Sequence, residues 1–95
     1  QEKVFFFLDA HWGNHCPLID ELEQIAISGK TAYLAIHDFY NPFDLSMGYD
    51  EYQGKKLELD YIKEVLDKVY PEGYAFHYNE KAEGARRGII YILPV

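Results

Sequence analysis

Apolar residues fall along this chain in blocks of two different periods. Val4 to Leu8 is a continuous run rich in aromatic residues, the pattern of a strand buried on both faces, as in parallel sheets. Leu18, Ile19, Leu22, Ile25 and Ala26 then recur at helical spacing. Pro17 stands at a first helical position, where a missing N–H is tolerated, and Gly29 is placed to close the helix in a left-handed conformation. Thr31 to Ile36 is a second apolar strand block, ending on His37 and Asp38 much as the first ends on Asp9.

The segment 39–55 has no clean period and carries Pro42, Gly48 and Gly54 among several aromatic residues, which predicts a long loop of the kind that often carries function. Leu59, Ile62, Leu66 and Val69, with Tyr61 and Val65 beside them, predict a second amphipathic helix within 57–70, stopped by Pro71 and Gly73. Tyr74 to Tyr78 and Gly88 to Leu93 predict an antiparallel hairpin with a long polar connection. The predicted order is therefore β-α-β-α-β-β, an α/β domain. A right-handed crossover between the first two strands makes them parallel and brings their polar ends to one edge, where open α/β sheets bind ligands.

Composition narrows the setting. With 95 residues, 48% of them hydrophobic and 17% aromatic, the chain supports one packed domain spanning 1–95. Nine basic residues against sixteen acidic ones leave a net charge of -7, which disfavours nucleic acid and anionic membrane as partners. No stretch reads as a signal peptide, and no apolar run approaches the roughly 20 residues that span a bilayer, so a cytoplasmic location is expected. The lone Cys16 excludes an internal disulfide and any cysteine-based zinc or iron–sulfur framework.

The stretches "FFFLDAHWG", "CPLIDELEQIA" and "AIHDF", followed by a helix and a hairpin ending "RRGIIYILP", resemble the C-terminal half of class I S-adenosylmethionine-dependent methyltransferase domains, over essentially the whole chain. The resemblance implies half of a three-layer Rossmann-like sheet, with strands 4, 5, 6 and 7 in the spatial order 4-5-7-6 and the last strand antiparallel. It also implies that the glycine-rich turn receiving S-adenosylmethionine belongs to an N-terminal half. A start at Gln1, almost directly on a strand, is the pattern expected of a truncated domain. Within the superfamily the likeness is greatest to the metal-assisted O-methyltransferases of the catechol and macrocin types, which act on small hydroxylated acceptors. By that likeness Asp9, His11, His37 and Asp38 are the candidate metal ligands. An imidazole at His37 suits manganese, iron or zinc better than the magnesium usual in those enzymes.

The same residues have plainer readings. Asp9 and Asp38 are equally suited to cap the loops that follow them, and the histidines to sit at the core edge. Trp12, Tyr40, Phe43 and Tyr49 are candidate acceptor-binding residues, as an aromatic lid, or anchors of the long loop. His15 and Cys16 are better explained by the start of a helix than as a nucleophile pair. Arg86 and Arg87 read as surface charge balance. The "DAH" triplet also occurs in metal-dependent hydrolases, but the further Asp-rich segments such enzymes need are missing from this sequence. A half-domain exposes the edge of its first strand and one sheet face, so a homodimer formed through either is expected. The non-catalytic alternative is accordingly a homodimeric assembly domain.

Overall fold

The computed structural model describes residues 3–8, 17–52, 54–79 and 87–95. Along the chain these form β1 (Lys3–Leu8), α1 (Leu18–Ser28), β2 (Thr31–His37), β3 (Glu51–Tyr52), β4 (Lys55–Lys56), α2 (Leu59–Val69), β5 (Tyr74–Tyr78) and β6 (Ile89–Pro94). The result is a small α/β domain with a mixed four-stranded sheet, in the order β1-β2-β6-β5. Strands β1 and β2 are parallel, while β6 runs antiparallel to both of its neighbours. The loop expected over 39–55 is more ordered than its sequence suggests. It contains the short β3–β4 hairpin, and Gly48 within it bridges to Arg87.

Both helices lie against one face of the sheet. Leu18, Leu22 and Ile25 of α1 and Ile62, Val65 and Leu66 of α2 join Leu8, Leu34, Ile36, Ile90 and Ile92 from the strands in a single buried cluster. Each such side chain removed from water contributes about 1.5–3 kcal/mol, which is why the i, i+3/i+4 stripe of each helix faces inward. Helix α1 ends where Gly29 turns left-handed (φ 72°), and Ser28 Oγ donates to the Ile25 carbonyl at 2.6 Å. In α2, Asp60 in the first turn and Lys68 in the last complement the helix dipole.

The opposite face departs from expectation. Val4 to Leu8 is apolar throughout, yet exposure alternates along β1: Phe5 and Phe7 are 63% and 59% exposed, whereas Leu8 is buried. Among the described residues the strand is therefore covered on one side only, the side on which α1 and α2 pack. Pairing continues the alternation, with Phe5 opposite Tyr33, Phe7 opposite Ala35, and Ala35 in turn opposite Tyr91. Among the described residues no helix is long and apolar enough to cross a membrane.

Tyr70, just past α2, ties the layers together. Its hydroxyl donates to the Ala32 carbonyl of β2 at 2.8 Å, and its ring packs beside Tyr74. Burial pushes its pKa well above the ordinary tyrosine value, with Tyr33 adding to the rise, so it stays a neutral donor. Tyr70→Phe is expected to lower unfolding free energy by about 1 kcal/mol, the usual net worth of one buried hydrogen bond, measured by urea denaturation.

Candidate functional site at the carboxyl edge of the sheet

Strand β2 delivers His37 and Asp38 to the sheet edge, and the backbone turns sharply there. Asp38 has φ 59°, a left-handed conformation that aspartate adopts more readily than most residues. The turn drives Phe39 into the core with no exposure, and the Phe39 N–H donates to the Gly88 carbonyl at 2.9 Å. Gly88 is required at this crossing, since a Cβ on it would stand 2.1 Å from the Phe39 carbonyl oxygen.

Arg87, the residue before Gly88, organises the site. Its Nε donates to Asp38 Oδ1 at 2.6 Å, and its Nη2 donates to Asp50 Oδ1. Gly48 leaves room for the guanidinium, because a Cβ there would come within 2.8 Å of Nη1. Backbone bonds hold the two acids in place: the Asp50 N–H donates to the Asp38 carbonyl, the Gly88 N–H to Gly48, and the Leu57 N–H to Asp50, all at 2.9 Å. Burial alone would raise the Asp38 pKa, but the Arg87 hydrogen bond and the neighbouring His37 outweigh it and hold the carboxyl below its ordinary value. Arg87 is shifted the other way: burial disfavours its charge, yet Asp38 and Asp50 hold the proton more firmly.

The residues singled out in the sequence meet different fates. His37 Nδ1 lies 3.2 Å from Asp38 Oδ1, so this pair is together at the edge as expected. Asp9, His11 and Trp12 lie outside the described residues, as do His15, Cys16 and Arg86. Among the described residues no group of three or more His, Cys, Asp or Glu side chains is placed to hold a metal. The aromatic candidates separate. Tyr40 and Tyr49 meet edge to face at 5.0 Å, and Lys56 Nζ sits 4.4 Å from the Tyr40 ring centroid. Phe43 instead packs on Tyr78 at 5.7 Å, on the wall of a cavity of about 600 Å³ that also includes Asn41, Phe76 and His77.

Two participants, Asp50 and Arg87, went unrecognised in the sequence. An arginine just before a strand, with acids at the ends of other segments, is a signal of sorts. Nothing local to the chain selects Arg87 over Arg86, or Asp50 over Asp44. Asn79 is a third: it donates from Nδ2 to the Arg87 carbonyl and accepts from the Ile89 N–H at Oδ1, fixing the start of β6. Compared with known proteins, the chain matches no protein-family model, and no curated protein or solved structure shows significant similarity to it.

Removing the guanidinium would leave two half-buried carboxylates facing one another. Arg87→Met should therefore lower stability by about 2 kcal/mol, discounted from the 3–5 kcal/mol of fully buried pairs because the side chain is part exposed. The sign of the pH dependence follows from the depressed Asp38 pKa. Its contribution is complete above the ordinary aspartate pKa of about 3.9 and is lost as pH falls through the lower native value. The gap in urea midpoint between the wild-type chain and Arg87→Met should accordingly close as pH falls below about 4. Gly88→Ala should cost about 3 kcal/mol, since backbone atoms rather than a flexible side chain stand in the way, and thermal unfolding measures it.

Proposed function

We propose that this chain is the acceptor-side half of a methyltransferase-like α/β domain, related to O-methyltransferases that act on a small hydroxylated acceptor, with little or no activity of its own. The observation that carries the reading is the strand order β1-β2-β6-β5 with β6 reversed. In this reading the strands correspond to 4, 5, 7 and 6 of the parent sheet, which are spatial neighbours and so can satisfy one another's backbone groups without the other half. The ligand-binding edge of such a sheet is the carboxyl edge of the parallel strands, where His37, Tyr40 and Tyr49 stand.

What these residues would do is bind and orient. The Tyr40–Tyr49 pair offers an aromatic wall, and His37, with Nδ1 against Asp38, is the group suited to accept a hydroxyl proton from the acceptor. A metal does not fit the described residues. Asp38 already accepts from Arg87, and a divalent cation bound there would stand beside a guanidinium. S-adenosylmethionine does not fit them either, because the glycine-rich turn that receives it has no counterpart in these 95 residues. Methyl transfer needs donor and acceptor held together, so it belongs to the complete domain.

Two titrations test the reading. 1,2-Dihydroxybenzene at millimolar concentration should shift the amide resonances of His37, Tyr40 and Tyr49, while S-adenosylmethionine should give no saturable heat in calorimetry. Micromolar binding of S-adenosylmethionine would overturn the half-domain assignment. An edge unmoved by the dihydroxybenzene would overturn its acceptor role.

A further inference from the structure

We infer that the sheet face turned away from the helices is a self-association surface, occupied by a second copy of this chain packed face to face. Three observations favour this occupant. First, Phe5 and Phe7 stand 63% and 59% exposed side by side on β1, and large adjacent apolar side chains on one flat face mark an interaction site rather than ordinary surface. Edge-to-edge pairing through β1 would leave both rings in water, whereas face packing covers them.

Second, charge selects the kind of partner. The chain holds sixteen acidic residues for a net charge of -7, yet the outward positions of the four strands carry none of them. Pairing register places Lys3, Phe5 and Phe7 on this face with Thr31, Tyr33 and Ala35. Tyr91 and Ile89 continue it opposite Ala35 and His37, and Ala75 and His77 complete it opposite Leu93 and Tyr91. Two such acidic molecules can meet here without opposing carboxylates.

Third, the register allows this face to meet a copy of itself. A two-fold axis along the strands lays β1 of one copy over β5 of the other, and β2 over β6. Phe5 and Phe7 then project over the shallow strip of Ala75 and His77, where His77 lies flat on Tyr91 at 5.0 Å. Sheets packed in this way keep their strands within about 30° of alignment. A face of four strands at about 4.8 Å spacing presents on the order of 450 Å² per copy. The pair therefore buries about 900 Å², below the roughly 1,200 Å² at which stable specific interfaces begin, as befits a weak, transient dimer and not a permanent one. This self-association is independent of the methyltransferase reading.

Sedimentation velocity over a concentration series tests the inference. The wild-type chain should pass from monomer to dimer in the micromolar range. Phe5→Glu combined with Phe7→Glu should raise the dissociation constant at least tenfold while leaving the circular dichroism spectrum intact, because both positions are exposed in the monomer. Should that variant fail to fold, Ala75→Lys on the exposed β5 strip supplies the same test from the opposite side of the two-fold. A wild-type chain that stays monomeric through the millimolar range would overturn the proposal. A dimer indifferent to either substitution would overturn it equally, by moving the contact off this face.

Discussion

The insertion of β6 between β2 and β5 is the constraint on which the rest of this structure depends. The last strand of the chain completes the backbone pairing of two strands that precede it and turns three parallel segments into one mixed sheet. It brings Ile90 and Ile92 into the middle of the core, where both are buried, with 0% and 1% exposure. Without it β5 would have no sheet to join, and Tyr70 would lose the environment that makes its buried hydroxyl a useful donor. Such long-range closure is slow to form and repays its chain entropy only when complete.

The same insertion creates the polar edge. Because β6 begins beside the end of β2, Arg87 arrives within hydrogen-bond distance of Asp38, and the 38–57 segment folds back so that Asp50 reaches the other side of the guanidinium. One cation thereby neutralises two half-buried acids on a strongly acidic chain, and Gly48 and Gly88 supply the space in which it does so. This arrangement gives Asp38 a structural partner, with His37 also beside its carboxylate. A stable clasp is compatible with a binding role, since loops positioned on a rigid scaffold carry recognition well.

The two faces of the sheet carry opposite burdens. One face is covered by α1 and α2 and supplies the hydrophobic stabilisation of the fold. The other is apolar and aromatic but has little cover among the described residues, and the acidic side chains are kept off it. A domain of this size buries only a modest share of its surface, and on this face Phe5 and Phe7 stay 63% and 59% exposed.

Periodicity along the chain was sufficient for the four main strands, both helices, the Gly29 terminus and the closing hairpin, because each of these is set by short-range spacing and by residues with restricted backbone freedom. The apolar run over Val4 to Leu8 announced the strand, but its expected burial on both faces does not hold, since cover comes from elements distant in the chain. The pairing of Asp38 with Arg87 and Asp50 was equally illegible: the residues are separated by whole elements, and their charges resemble ordinary surface charges until the strand order puts them at one edge. Sequence by itself determined which segments become strands and helices and which of their sides are apolar. Tertiary structure alone decided which side is buried and which acids are neutralised, because those depend on distances in space that local spacing does not encode.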